Sequence, residues 1–366
     1  MKIKNQRLIQ RFREFVLGIK KDDKVGIVYH SDPDGVCSAA IFSNIIRRLR
    51  KKEADYSAYT YSPFIPQDII SSIRKKRINK LIFCDLSIDQ IPEIKAIEKL
   101  SDVLILDHHK LYRNVNSGKT VLIKPQMVFA SANPDFYCCS KLCLDLGKKV
   151  VNLKGLDWLA AIGILGDSGY DYWKPFVNKV FKRYRMQNTA RINDSELYKI
   201  TKMIFHSIAY NIKNTKVCYD LLCSSKTHKE LYSSKLQECD RRIKKEIRYW
   251  NSNVNKLAEV YPKLGLVFDN IKPKYFINPS VIKSLSQKYP DKTVVITQDM
   301  NKNTINISAR RYDGKIAVNE LLERSIKNLH RANAGGHRSA AGAIIQKKDF
   351  FRFKENIFRL LSDMPA

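Results

Sequence analysis

The sequence predicts an α/β protein of two domains: an N-terminal, mostly parallel sheet flanked by helices, then a helical linker and a smaller C-terminal α/β domain. Two observations lead to this prediction. Short apolar runs of strand length alternate with amphipathic segments of helix length in the first part of the chain. The length of 366 residues also exceeds what a single hydrophobic core usually organises, so two domains are expected.

The N-terminal elements follow from their hydrophobic periodicity. We predict strands over 24–30, 54–61, 80–85 and 102–109, and helices over 35–52, 66–76, 91–100 and from 157 onward. Strands that alternate with helices of this length pair in parallel, through right-handed crossovers. In such a sheet the ligand site lies beyond the carboxyl ends of the strands.

The rest of the chain predicts a linker and a second domain. The stretch from about 190 to 258 has no glycine or proline and looks helical throughout. We therefore predict a first domain over 1–190, a helical linker over 191–258 and a second domain over 259–366. Within the second domain the pattern predicts strands over 263–268, 293–298 and 303–309, and helices over 279–288 and 316–328.

The charge balance favours a polyanionic partner. The chain has 66 Lys and Arg against 36 Asp and Glu, a formal net charge of +30, and contacts with phosphates release counterions and supply affinity that does not depend on sequence. Basic clusters occur at 47–52, 74–80, 182–187 and 241–248. Aromatic residues near some of these clusters could stack on bases: Tyr172, Trp173, Tyr184, Tyr249 and Trp250. The same clusters could equally be solvated helix faces in a lysine-rich proteome, in which every surface is basic.

Other features argue against a membrane or a secreted protein. No apolar run approaches the roughly 20 residues that span a bilayer, and the basic start is not followed by a signal-peptide core. The eight cysteines show no paired CxxC spacing, which favours reduced, packed thiols over a thiolate metal site. We therefore expect a cytoplasmic protein without a membrane partner.

Acidic and imidazole side chains follow three of the predicted strands, at one edge of the sheet. They are His30, Asp32 and Asp34 after the first strand, Asp85 at the end of the third, and Asp107, His108 and His109 at the end of the fourth. Carboxylates packed this closely repel one another unless cations lie between them, so the pattern predicts metal binding. Asp167, at the end of the helix that starts at 157, is expected to supply one more ligand.

The motifs "HSDPDG", "LIFCDLS", "LDHH" and "GILGD" resemble those of the DHH phosphoesterases, in the same order and approximate spacing, over about residues 24–170. Near the C-terminus, "NISARR" (306–311) and "NAGGHRSAAGA" (333–343) resemble the substrate-binding motifs of the DHH-associated domain in RecJ-like nucleases and nanoRNases. His30 stands where bacterial RecJ enzymes typically have aspartate, and a histidine at this position is found in other branches. The chain therefore looks most like an archaeal-type RecJ-like protein.

The resemblance implies a two-metal hydrolase with two Mn²⁺ ions, for which Mg²⁺ or Co²⁺ could substitute. It implies that Asp85 bridges the ions, that His30 and Asp32 complete one site, and that Asp34, His108 and Asp167 complete the other. His109 would lie nearer the phosphate, and Asp107 would orient its histidine neighbour without binding metal. The substrate-binding residues implied in the second domain are Ser308, Arg310, Gly335, Gly336 and His337.

Two ions roughly 4 Å apart can lower the pKa of a bridging water and neutralise charge on a leaving oxygen, which is the chemistry of phosphodiester hydrolysis. The favoured function is that of a RecJ-like exonuclease acting on single-stranded DNA or RNA. A small-substrate enzyme stays open: a nanoRNase acting on short oligonucleotides, a phosphoadenosine-phosphate phosphatase or a cyclic-dinucleotide phosphodiesterase. A replication scaffold that binds a GINS-type partner also stays open. The sequence does not decide the polarity of digestion, DNA against RNA, substrate length or oligomeric state.

Overall fold

The computed structural model describes residues 2–60, 65–130, 132–187, 189–232, 234–300 and 302–363, with the side chains of 234 and 254–257 left out. The chain divides into two compact units, Met1–Asp240 and Arg241–Ala366. Within the described ranges, no helix has the length and apolar character needed to cross a membrane.

The first unit contains a five-stranded sheet whose neighbouring strands all run parallel, in the order β2-β1-β3-β4-β5. Its strands are β1 (Val25–His30), β2 (Tyr56–Thr60), β3 (Lys80–Cys84), β4 (Asp102–Leu106) and β5 (Thr120–Ile123). The helices that begin in this unit are α1 (Gln6–Leu17), α2 (Pro33–Arg50), α3 (Gln67–Lys75), α4 (Ile94–Glu98), α5 (Pro125–Val128), α6 (Cys139–Gly147), α7 (Asp157–Gly166), α8 (Tyr170–Arg183), α9 (Glu196–Tyr210), α10 (Asn214–Ser224) and α11 (Ser234–Leu257). The predicted α/β class and the parallel sheet are confirmed.

Alternate residues of each strand enter two different cores, as the pleat requires. Ile27 and Ile82 pack with α2, α6 and α7 on one face, whereas Val28 and Phe83 pack with α3 and α4 on the other. Since both faces are covered, the strands are almost entirely apolar and polar groups are concentrated at their ends.

The second unit contains a six-stranded mixed sheet in the order β10-β11-β9-β8-β7-β6, in which only β7 and β8 pair in parallel among the named strands. Its strands are β6 (Glu259–Tyr261), β7 (Leu266–Ile271), β8 (Thr293–Asp299), β9 (Thr304–Arg311), β10 (Asn333–His337) and β11 (Ala340–Gln346). Its further helices are α12 (Asn278–Lys288), α13 (Val318–Ser325) and α14 (Phe350–Ser362).

Several predicted boundaries differ from those of the structure. The fourth strand ends at Leu106, not at 109, and the third ends at Cys84, so the acidic and histidine residues lie just beyond the strands. α2 begins at Pro33, two residues before the predicted start, because the side chain of Asp32 caps it. Tyr61, the last residue of the predicted second strand, lies outside the described residues.

The helical stretch from 190 to 258 is not continuous. It consists of α9, α10 and α11 with short breaks between them, and Ile200, Ile204 and Leu222 belong to the core of the first unit. The segment thus contributes to a core as well as connecting two units. The domain limits at 190 and 258 remain predictions.

In the second unit, the predicted strand over 263–268 is β7, which begins at Leu266 after a short 3-10 turn. The helix predicted over 316–328 is shorter and spans Val318–Ser325. Strands β5, β6, β10 and β11 were not predicted. Glycine and alanine make up most of β10 and β11, so these two strands lack the β-branched alternation that marks a strand in a sequence.

Candidate metal centre

The turn after β1 places a histidine beside an aspartate. His30 is the last residue of β1, and its Nδ1 lies 2.9 Å from Asp32 Oδ2. The other oxygen of Asp32 accepts a hydrogen bond of 2.7 Å from the backbone N–H of Gly35 in the first turn of α2. A Cβ at Gly35 would overlap the carbonyl oxygen of His30. Glycine is therefore required for the chain to turn this tightly into the helix.

Asp85 occupies the middle of the cluster. It follows β3 in a left-handed backbone conformation with φ +62°, and its N–H donates to Leu106 O at 2.8 Å. Its buried carboxylate lies between two histidines, with Oδ2 3.5 Å from His30 Nδ1 and Oδ1 3.3 Å from His108 Nε2. Aspartate is one of the few residues with a side chain that tolerates this conformation.

Asp34 is held by the start of α6, more than 100 residues away in the sequence. Its buried carboxylate accepts hydrogen bonds from the N–H groups of Cys139 (2.7 Å) and Ser140 (3.0 Å). α7 packs closely over this contact, because a Cβ at Gly163 would overlap both Ser140 Oγ and Asp34 Oδ1. The same helix ends at Gly166 and Asp167 is its C-cap residue, so its close packing also positions that carboxylate.

His108 links the central aspartate to Asp167. Its Nδ1 lies 3.0 Å from the carbonyl oxygen of Pro134, which fixes the ring and favours a proton on Nδ1. Its Nε2 then faces Asp85 Oδ1 at 3.3 Å and Asp167 Oδ2 at 3.2 Å. The buried oxygens Asp85 Oδ1 and Asp167 Oδ2 find no hydrogen-bond partner among the described residues.

The donor set fits divalent cations. Among the described residues, three groups of side chains have ligand atoms within 4.8 Å of one another: His30 with Asp32 and Asp85, Asp34 with His108 and Asp167, and Asp85 with His108 and His109. The first two groups match the two ligand sets that the resemblance implies, except that the second group does not include the bridging Asp85. With Nδ1 of His108 protonated, lone pairs from an imidazole and two carboxylates converge on one point, and a cation there would satisfy all three.

Electrostatics within the cluster point the same way. Burial, and then the charge of Asp85, raises the pKa of Asp34 to about 6, and burial and Asp34 together raise that of Asp167. Burial also acts to raise the pKa of Asp85, but the close contacts with His108 and His30 outweigh it and lower that pKa. Without a cation the cluster therefore holds extra protons, as expected for a site built for positive charge.

Asp107 and a buried lysine support the histidine pair. Asp107 Oδ1 lies 2.7 Å from His109 Nδ1, and its other oxygen lies 2.7 Å from Lys124 Nζ. Lys124 also reaches Asp89 Oδ1 at 3.2 Å and donates to the carbonyl oxygens of His109 (3.2 Å) and Lys110 (2.6 Å). Burial opposes ionisation, but Lys124 and His109 lower the pKa of Asp107 well below its usual value.

Lys124 and Asp89 were not identified from the sequence. Lys124 directly follows the apolar run "TVLI", and recognising that run as a strand would have placed the lysine at the same edge as the acidic residues. Asp89 has no comparable signal, because it lies in a short 3-10 turn after the third strand.

The predicted substrate-binding residues lie together in the second unit. Arg310 and His337 both pair with Ala340, from opposite sides, and Ser308 and Gly335 both pair with Gly342. Residues paired in this way share a face of the sheet, so Ser308, Arg310 and His337 are on one face.

Three details complete this part of the second unit. Gly336 has φ +131°, a conformation suited to glycine. The Nε atom of Arg310 has no hydrogen-bond partner in the described part of the chain. Lys283 on α12 was not predicted to belong here, yet burial and the charge of Arg310 lower the pKa of Lys283. A bound anion would give Arg310 Nε a hydrogen-bond partner and would offset the repulsion between Arg310 and Lys283.

Comparison with known proteins identifies two domains in the chain. Two family models match: the DHH family N-terminal domain over residues 24–164 and the DHHA1 domain over residues 277–363. No curated protein matches the sequence at a significant level.

Solved structures share the fold. RecJ from Thermus thermophilus in complex with Mn²⁺ has a TM-score of 0.72 at 15% identity; the match covers 100% of this chain and 56% of the RecJ chain. An exonuclease RecJ bound to manganese has a TM-score of 0.67 at 15% identity, covering 100% and 96%. CDC45 from Entamoeba histolytica has a TM-score of 0.60 at 9% identity, covering 98% and 99%.

This chain thus spans a little over half the length of the Thermus RecJ that it resembles. At such low identities the likeness establishes the fold, and the two family models identify the domains. The chain belongs to the DHH family, with a DHH N-terminal domain followed by a DHHA1 domain.

Proposed function

We propose that this protein is a metal-dependent phosphodiesterase, acting as a RecJ-like exonuclease on single-stranded DNA or RNA. The observation that carries the proposal is the pair of three-residue ligand groups, His30 with Asp32 and Asp85, and Asp34 with His108 and Asp167, which meet where Asp85 Oδ1 lies 3.3 Å from His108 Nε2. Two such groups side by side suit a two-metal site better than a single structural ion.

The proposed ligand residues would hold two cations. Asp85 would bridge them, His30 and Asp32 would hold one, and Asp34, His108 and Asp167 would hold the other. When bound, the cations would supply an activated water and charge neutralisation at the leaving oxygen. Carboxylate and imidazole ligands suit Mn²⁺, with Mg²⁺ or Co²⁺ as substitutes.

His109 would act on the substrate. Asp107 fixes its ring through Nδ1, at 2.7 Å, so Nε2 is the atom that would meet a phosphate oxygen. In the second domain Arg310, Ser308 and His337, with Gly335 and Gly336, would bind a further phosphate. The net charge of +30 supports a polyanionic substrate.

A product ladder tests the proposal. End-labelled DNA and RNA strands of several lengths are incubated with Mn²⁺, Mg²⁺ or Co²⁺, beside the Asp85→Asn variant. We expect stepwise shortening that needs added metal and is absent in the variant. If purified protein cleaves no phosphodiester with any of the three metals, the proposal fails.

The length series also separates the alternatives. A nanoRNase, a phosphoadenosine-phosphate phosphatase or a cyclic-dinucleotide phosphodiesterase would cleave only the shortest substrates. A scaffold with a GINS-type partner would cleave none, and the complete ligand set argues against that role, although an active enzyme could also dock on a replication complex.

A further inference from the structure

Two exposed aromatic rings stack on each other in the first unit. Phe136 is 40% exposed and Tyr172 is 37% exposed. Their ring centroids lie 5.9 Å apart at an interplanar angle of 24°. Apolar rings on a surface cost free energy unless something covers them, and a stacked pair with exposed ring surface can accept a further flat group.

Neighbouring aromatic residues hold the pair in place. Trp173 Nε1 donates a 2.8 Å hydrogen bond to the carbonyl oxygen of Phe136, which ties the loop that carries Phe136 to α8. Trp173 packs edge-on against Tyr172 (5.3 Å between centroids) and against the buried Tyr137 (4.9 Å). A Cβ at Gly169 would lie 2.9 Å from Phe136 O, so glycine allows the two segments to approach.

The two segments that carry the pair adjoin the candidate metal centre along the chain. Pro134, two residues before Phe136, accepts the contact from His108 Nδ1 at 3.0 Å, and two residues span at most about 7 Å. On the other segment, Tyr172 follows the proposed ligand Asp167 by five residues. Each ring is thus on a segment that also positions the metal site.

We propose that Phe136 and Tyr172 form a stacking subsite for a nucleobase of the substrate whose phosphate is held at the metal centre. The inference deepens the proposed function and rests on it. Every base has a π-face, so such a subsite accepts any base. It binds a nucleotide more tightly than a phosphodiester that carries no base. It therefore selects nucleic acid by its bases as well as by its charge.

Equilibrium binding tests the subsite without catalysis. A labelled tetranucleotide and its abasic counterpart, both with non-hydrolysable phosphonate linkages, are titrated with the whole chain in Mn²⁺, and the ratio of the two Kd values cancels the contribution of the charged backbone. We expect wild-type protein to favour the base-bearing strand by about 5- to 100-fold. The ratio of the Kd for the abasic strand to the Kd for the base-bearing strand should fall toward 1 in Phe136→Leu, in Tyr172→Leu or in both. The wild-type ratio should persist in Tyr172→Phe, which keeps the ring.

The matched control is Phe351→Leu, since Phe351 is an aromatic residue 78% exposed on the second unit; this variant should keep the wild-type preference. Equal affinity for the two strands in wild-type protein overturns the subsite, and so does a wild-type preference in both leucine variants.

Hydrolysis in Mn²⁺ separates this inference from the proposed function. If the protein prefers the base-bearing strand but cleaves nothing, the subsite is supported and the phosphodiesterase proposal is wrong. If the protein cleaves base-bearing and abasic strands with equal kcat/KM, the subsite is wrong and the phosphodiesterase proposal is supported.

Discussion

At the residue scale, the centre of the site is an aspartate in an uncommon conformation. Asp85 has φ +62° and touches both His30 and His108. The left-handed region costs most side chains roughly 1 kcal/mol but is open to Asp and Asn. Asparagine is therefore the substitution that removes the charge and preserves the backbone.

We expect Asp85→Asn to lower metal-dependent cleavage by at least about 1000-fold, because a bridging ligand contributes several kcal/mol to charge stabilisation. Its Tm in EDTA should fall below that of wild type, because the contacts with His108 and His30 that lower the pKa of Asp85 also stabilise its charged form in the folded state. Asp85→Ala should be as inactive and about 1 kcal/mol less stable than Asp85→Asn. Thermal scans measure the change in Tm, and cleavage assays measure the loss of activity.

The control for that prediction is Asp291→Asn, an exposed carboxylate in the second unit. It should retain wild-type cleavage. Near-normal Mn²⁺-dependent turnover by purified Asp85→Asn would refute the bridging role.

Lys124 is a buried cation between two buried carboxylates, Asp89 and Asp107. Lys124→Met should destabilise the protein by about 3–5 kcal/mol, since it leaves buried charges without a partner. Urea unfolding measures the loss. The control is Lys119→Met, an exposed lysine at the opposite end of β5, which should change stability by no more than about 0.5 kcal/mol. A small effect for Lys124→Met would mean that the network adds little to the fold.

At the element scale, the close contact of α7 with α2 and α6 sets the position of two proposed ligands. Gly163→Ala places a methyl group against Asp34 and Ser140. We expect it to weaken Mn²⁺ binding by about 10-fold or more, because the support of a ligand is disturbed. Gly118→Ala, where a Cβ meets nothing within 4 Å, is the control. Unchanged Mn²⁺ affinity by calorimetry in Gly163→Ala would contradict this packing argument.

In the second unit, β7 buries a carboxylate at a cost. Asp269 Oδ2 has no hydrogen-bond partner in the described ranges, and burial raises the pKa of Asp269 to about 6. A raised pKa means that the folded state binds this proton more tightly than the unfolded state does. The loss of folding stability caused by ionising Asp269 is therefore absent below about pH 4, grows between pH 4 and 6, and is complete above that range.

Asp269→Asn should consequently stabilise the protein at pH 7 by on the order of 1 kcal/mol, with little or no gain at pH 4. Denaturant unfolding at both pH values measures the difference. The explanation is wrong if the gain does not depend on pH.

At the scale of the whole molecule, a net charge of +30 should act mainly on long substrates. We expect binding of long strands to fall steeply between 50 and 200 mM salt, by about 1000-fold or more where six or more phosphates are contacted. Hydrolysis of a dinucleotide should change much less, because few phosphates are involved. Equal salt dependence of the two would favour the small-substrate enzyme.

The sequence by itself determined the class of the fold and predicted the residues that the structure brings together at the candidate metal centre. Strand and helix periodicities alternate from residue 24 onward, and parallel strands bring their carboxyl ends to one edge. His30 ends β1, and Asp85 and His108 follow β3 and β4; these three strands are neighbours in the sheet. Their convergence could therefore be predicted from chain direction alone.

Only the tertiary structure decided what supports these residues. The contact of Asp34 with Cys139 spans 105 positions, and that of Lys124 with Asp89 spans 35. The stacking of Phe136 on Tyr172 likewise joins two separate segments. Periodicity reports whether a residue faces a core or solvent, whereas the partner of a buried polar group or an exposed ring depends on which segments pack together. That choice is made by long-range packing, which no local pattern in the chain records.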